Sequence, residues 1–177
     1  MATYTSTYHH GDLRQAVLRA AGELLEKEGL KAVTLRELAR RAGVSHNAPY
    51  RHFPDRDSVL AALAAEGFKL LGDALERRPM REMGEAYVEF ALAHPQRFRL
   101  MFGGLIALGQ RDQRAYEGLM KSFADLGEDA RFAAAAGWAM VHGLSHLLLD
   151  GHFAGRDRSS FVRDVLASVR FSAPRRR

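Results

Sequence analysis

The 177-residue chain contains no cysteine, which excludes disulfides, thiolate metal sites and cysteine nucleophiles and suits a reducing compartment. No run of eighteen apolar residues stands out. The opening MATYTSTYHHGDLR lacks the basic, apolar and small-residue succession of a signal peptide, so a cytoplasmic chain without a membrane span is expected. Strand signals are nearly absent, with no β-branched run alternating at period two and no hairpin dipeptide. Neither a phosphate-binding glycine loop, nor a nucleophile elbow, nor a His-Glu-x-x-His helix is present, which leaves an enzyme little to work with. Only 5 prolines occur. They fall at Pro49, Pro54, Pro79, Pro95 and Pro174 and break the chain into segments.

What the sequence does have is 47% hydrophobic residues and a net charge of +5. The first is ample for a packed core, and the second favours an anionic partner without choosing between nucleic acid and an acidic membrane surface. Basic residues are mostly interspersed with acids, which argues against a dedicated membrane anchor. Arg175 to Arg177 read as a solvated tail, because Pro174 blocks a helical extension into them.

Helical periodicity runs through the chain, and the expected fold is all-α. From Gly11 to Glu28, Leu13, Ala16, Val17, Ala20, Ala21, Leu24 and Leu25 follow the three-four spacing of one buried face, and Gly29 supplies the stop. Thr34-Leu35-Arg36-Glu37 is a capping-box sequence opening a two-turn helix that should end near Arg41, with Gly43 as its C′ residue. Ser45 is an N-cap candidate for a third short helix reaching about His52. Pro49 sits inside that segment and restricts Ala48, so an irregular or delayed start is expected. Pro54-Asp55 opens a long fourth helix from Arg56 to about Arg77.

Beyond Pro79 the composition turns aromatic and Met-rich. Further helices are expected over Met80–His94, around Asp112–Leu126, over Ala130–Phe153 and from about Arg156 to Phe171. A break at Pro95, a short FRLMF segment and a Gly-rich loop, GGLIALG, lie between the first two. The organisation read from this is a domain over residues 1–56 with an N-terminal arm at 1–9, a helical domain over 57–174, and the tail at 175–177. Residues 132–149 are almost all apolar or small, so their helix must be covered on every side by its own domain or by a second subunit. Leu144 and Leu148, with Phe161, Val165, Leu166 and Val169 on the last helix, are the candidates for a four-helix dimer interface.

Helix, Gly-containing turn and second short helix make a helix-turn-helix pattern, here TLRELARRAGVSHNAPYRHF. In that motif the second helix lies in the DNA major groove with its first residues at base edges, while flanking groups hold phosphates. His46 and Asn47 fall where bases would be; Tyr50, His52 and Arg56 fall where the backbone would be. Ser45, His46 and Asn47 would serve equally well as ordinary cap and loop residues.

The stretch TLRELARRAGVSHNAPYRHFPDRDSVLAAL, with HHGDLRQAVLRAAGELLEKEGL before it, resembles the N-terminal domain of the TetR family of bacterial transcriptional regulators over residues 9–63. The Gly-Val-Ser turn, Tyr-x-x-Phe and the aspartate-basic helix start occur together and in order. Trp138, His142 and Gly143, following AHPQRFRLMF, resemble a branch of that family with a Trp-x-x-x-His-Gly stretch. The resemblance implies a three-helix DNA-binding domain joined through the long fourth helix to a helical ligand-binding and dimerisation domain. It also implies a homodimer that binds a palindromic double-stranded operator and releases it to a small molecule. Carried over by position, base contacts go to Arg36, His46 and Asn47 and phosphate contacts to Tyr50, His52 and Arg56. Ser45 and Arg51 complete the candidate surface. Ala48, Pro49 and Leu35 depart from common family choices, so the operator sequence does not carry over.

For the effector, Met80, Met83, Tyr87, Phe90, Phe98, Met101, Phe102, Phe123, Trp138 and His142 could line an apolar pocket, or could simply be core. His142 and His146 are one helical turn apart, a spacing that suits a metal ion, yet Asp150 is the only nearby third ligand. No metal and no resident cofactor are expected. The competing readings are a helical enzyme, or a metal- or ligand-binding protein, using that pocket.

Overall fold

A computed structural model describes residues 10–104, 113–155 and 157–171, and these contain helices and no strand. The expected arm 1–9, the tail 175–177 and residues 105–109 of the Gly-rich segment lie outside the described residues. Eight α-helices follow in order: α1 (His10–Glu28), α2 (Leu35–Arg41), α3 (Arg56–Leu75), α4 (Met80–Ala93), α5 (Pro95–Phe102), α6 (Arg114–Ser122), α7 (Ala130–Leu149) and α8 (Arg158–Ser168). Single 3₁₀ segments intervene at Leu30–Ala32, Ala48–Arg51 and Ala124–Asp129. The all-α architecture is as expected from the periodicity.

In the N-terminal unit, Val17, Ala21, Leu24 and Leu25 of α1 close over Leu38 of α2, Val59, Leu60 and Leu63 of α3, and Phe53 between them. Thr34 caps α2 by accepting from the Glu37 amide at 3.3 Å. The reciprocal half of the expected capping box does not form, because the Glu37 carboxylate is taken by Arg40 and Arg41. Asp55 and Ser58 do form both halves of a capping box at the start of α3.

Helix α3 belongs to both units. Its first half seals the N-terminal unit, and Phe68, Leu71 and Leu75 continue the same core into the C-terminal unit with Met83, Tyr87, Phe98 and Met101. The FRLMF segment, expected as a short irregular piece after a break, is helix α5: Pro95 occupies the first helical turn, where its missing amide costs nothing. Helix α6 stops at Ser122, well short of Leu126, and Gly127 turns the chain with φ 56° before α7. Helix α8 is shorter than expected at both ends and is capped by Asp157, which accepts from the Ser160 amide at 3.1 Å.

Residues 124–149 are long and on average apolar enough to cross a membrane, a test that the core helix of a folded domain also passes. In the fold one face of α7, through Ala133, Gly137, Val141, Leu144 and Leu148, is buried in the chain. The expected dimer residues are therefore redistributed. Leu144 and Leu148 are spent on the chain's own core, Phe161 and Val165 pack half-buried against it, and Leu166 and Val169 line an interior cavity. Among the apolar positions α7 leaves exposed, Phe132, Ala136, Ala139, Gly143 and Leu147 follow four- and three-residue spacing along the opposite face, while Ala135 and Trp138 line the cavity.

Candidate nucleic-acid interface and interior cavity

Helix α2 ends in a Schellman motif. Gly43 adopts the left-handed conformation with φ 66°, its amide donates to the Arg40 carbonyl at 3.3 Å, and the Val44 amide donates to Ala39 at 3.0 Å. The chain then reverses into the segment expected to be the recognition helix. It is a single 3₁₀ turn, Ala48–Arg51, and not a helix running from Ser45 to His52. Proline at 49 lacks the amide that would reach back to the Ser45 carbonyl at α spacing. That carbonyl instead accepts from Ala48, three residues on, at 2.9 Å. The Pro49 carbonyl in turn accepts from both His52 and Phe53 at 3.0 Å. Pro49 is itself buried, so the turn is anchored through the ring that shortens it.

No side-chain cap forms on this turn, from Ser45 or from Asn47. Both side chains, with His46, Tyr50 and Arg51, project into solvent on one continuous stretch, and Arg36 is exposed on α2 next to it. Arg40, which the sequence reading passed over, is also presented there, 71% exposed while chelated to Glu37. Those two arginines, Arg40 first and then Arg41, pull the Glu37 carboxyl down to about 2. Arg41 ties back to Glu28 on α1 and so serves the fold more than the surface.

Two of the expected phosphate contacts are otherwise engaged. The Arg56 guanidinium donates to the Val33 carbonyl at 2.7 Å and to Leu30 at 2.6 Å, clamping the chain between α1 and α2. His52 turns Nε2 inward, buried and without a hydrogen-bond partner. Its spacing resembled a backbone contact, but the ring is half-buried against the turn.

In the C-terminal unit a cavity of about 860 Å³ opens between α3, α4, α6, α7 and α8. Of the expected lining, Met80, Met83, Tyr87, Phe102, Phe123 and Trp138 are there. Phe90, Phe98, Met101 and His142 are not among the lining residues; Phe90, Phe98 and Met101 are buried core side chains, and helical spacing cannot tell core from cavity wall. Missed lining residues include Phe68 and Leu71, which read as linker-helix core, and Phe171, which lies past the end of α8.

At the wall, the Trp138 indole N–H donates to the Tyr87 hydroxyl at 3.2 Å, and that hydroxyl shares a 2.9 Å hydrogen bond with His142 Nδ1. An indole can only donate, so the Tyr87 proton is free to go to an unprotonated Nδ1. Burial, then the neighbouring His146, lowers the His142 pKa, in keeping with a neutral acceptor. Burial raises the Tyr87 pKa, so the phenol stays protonated. The His142 and His146 rings lie 4.7 Å apart, while Asp150 pairs with Arg99.

Comparison with known proteins matches residues 17–63 to the family model of bacterial regulatory proteins of the tetR family, and residues 80–169 to the tetracyclin repressor-like C-terminal domain. An uncharacterized HTH-type transcriptional regulator of Mycobacterium tuberculosis is 37% identical over 84 residues, covering 47% of this chain and 43% of that protein. The match thus spans less than half of that relative. The tetracycline repressor protein class D of Escherichia coli is 25% identical over 157 residues, covering 85% of this chain and 70% of that one. A solved structure of a protein with unknown function from Rhodococcus sp. RHA1 superposes with a TM-score of 0.76 at 35% identity, covering 92% of this chain and 94% of the other.

Proposed function

The chain belongs to the TetR family of bacterial regulatory proteins, and from that premise we propose that it is a cytoplasmic homodimeric repressor that leaves a palindromic operator when a small molecule fills its cavity. The observation that carries the DNA-binding reading is the surface itself. Arg36, Ser45, His46, Asn47, Tyr50 and Arg51 stand exposed around a turn that is anchored in the fold through buried Pro49. Donors and acceptors at the first residues after the turn suit base edges, and the arginines and the tyrosine hydroxyl suit phosphates.

The ligand-release reading is supported by the cavity, whose size and apolar walls are those of a small-molecule site. Trp138 and His142 meeting on Tyr87 favours the Trp-x-x-x-His-Gly branch of the family. For the dimer, the exposed Phe132-to-Leu147 face of α7 replaces the residues expected from the sequence, and a second copy is the proposed cover. No metal or cofactor enters this reading.

Selection of bound fragments from a random DNA library, followed by anisotropy titration of the winners, tests the proposal. A two-fold symmetric site is expected, with affinity falling linearly in log salt. Arg36→Ala and His46→Ala should relax the preference at single positions by about 1–3 kcal/mol each. Recovery of no preferred sequence would sink the reading.

A further inference from the structure

We propose that the cavity takes an uncharged, hydrogen-bond-poor molecule with an aromatic or fused-ring body, a choice made by its buried apolar wall and by the pairing of the one buried polar side chain there. This rests on the cavity being the effector site. The wall presents rings from Phe68, Tyr87, Phe102, Phe123 and Trp138, separated by aliphatic and methionine side chains. Among the described lining residues the buried side chains are apolar apart from the Tyr87 hydroxyl.

The one buried polar side chain of that wall is engaged with the protein, while Gln113, Tyr116, Ser122 and the charged lining residues stand exposed. The Tyr87 hydroxyl accepts from Trp138 and shares its other hydrogen bond with His142 Nδ1. Ser122 donates to the Gly118 carbonyl at 3.1 Å. The charged lining residues Arg81, Asp125 and Arg170 are exposed. Of these, Arg81 lies 3.6 Å from the Glu85 carboxylate, and Arg170 donates to the Ala167 and Val169 carbonyls. A ligand with donors or acceptors in its buried body would have to break the Tyr87 pairs to be satisfied there, and a charge carried into the buried part would be left unpaired. A neutral ring system gives up little on leaving water and meets ring edges and faces throughout.

Trp138 is the one tryptophan of the chain and lines the cavity, so it reports occupancy directly. The probes are N-phenyl-1-naphthylamine, its anionic relative 8-anilinonaphthalene-1-sulfonate, which adds a sulfonate to the same skeleton, and the cation tetraphenylphosphonium. The full-length protein should bind the neutral amine saturably, read by quenching of Trp138 emission. The two ions should bind at least about tenfold more weakly, because no buried group of the wall carries a charge to pair with theirs.

Gly137 lines the cavity, and a Cβ there would meet Phe123 and Phe171 at an ordinary 3.6 Å. Gly137→Leu should fill the space between those rings and abolish binding of the amine. Leu119→Phe, also in the lining, should weaken it and serves should Gly137→Leu fail to fold. Equal or tighter binding of either ion, or no saturable binding of the amine, overturns the inference. Operator release is read separately by anisotropy: amine binding that leaves the DNA complex intact supports the ligand class and counts against the release reading alone.

Discussion

At the scale of single residues, Arg56 shows how one side chain can suit two roles and be spent on one. Its position after the turn fits a phosphate contact, yet its guanidinium closes the gap between α1 and α2 through two backbone carbonyls. Arg56→Ala should cost about 1 kcal/mol of stability, since it removes the donor to the part-buried Val33 carbonyl and the link to Leu30. Denaturant titration measures this. The salt slope of DNA binding should stay unchanged, and a slope reduced by about 0.9 would restore the phosphate role. His142 makes a second residue-scale prediction. Its folded pKa lies below the ordinary 6.5, so near and below that pH the unfolded chain binds the proton more readily. Stability contributed by neutral His142 is present above about 6.5 and is lost as pH falls toward the folded value. Melting curves from pH 8 to 5 should show this decline, and His142→Asn should flatten it.

At the scale of elements, α5 is tied to three neighbours at once. The Glu26 carboxylate of α1 accepts from the Gln96 and Arg97 amides at 3.1 and 3.0 Å, where the α5 N-terminus carries its partial positive charge. Arg97 then reaches Glu66 on α3 at 2.8 Å, and Arg99 pairs with Asp150 at the end of α7. Glu26→Ala removes the cap and should destabilise the protein by about 1 kcal/mol. Hydrogen exchange should locate the added opening at the start of α5; exchange unchanged there would show that the cap is idle. None of these three pairs was legible beforehand, because each joins residues dozens of positions apart. By contrast, the caps at Thr34 and Asp55 and the Gly43 stop were readable, since their partners lie within three to five residues.

At the scale of the whole molecule, one core runs from the N-terminal unit through α3 into the cavity wall, and α7 retains an exposed apolar stripe. Phe132 and Leu147 are 54% and 43% exposed, with Gly143 open between them. If a second copy covers this face, Gly143→Arg should convert the dimer to monomer in analytical ultracentrifugation and weaken operator binding. Leu148→Arg should instead unfold the chain, because that side chain is already in the core. Dimerisation unchanged in the Gly143 variant would place the interface elsewhere.

Local rules acting over one or two turns were enough to determine the helical class, the Gly43 turn, the polar surface around His46 and Asn47, and the shortening of the recognition segment by Pro49. Hydrophobic periodicity identifies a buried face but not what buries it. That is why Leu144 and Leu148 read as interface and lie in the core, and why Phe98 and Met101 read as pocket and lie behind it. Which aromatic rings face a cavity, how the buried Tyr87 hydroxyl is paired, and which arginines are tied into the fold were decided only when helices distant in sequence packed together, because each answer depends on the partner across the gap.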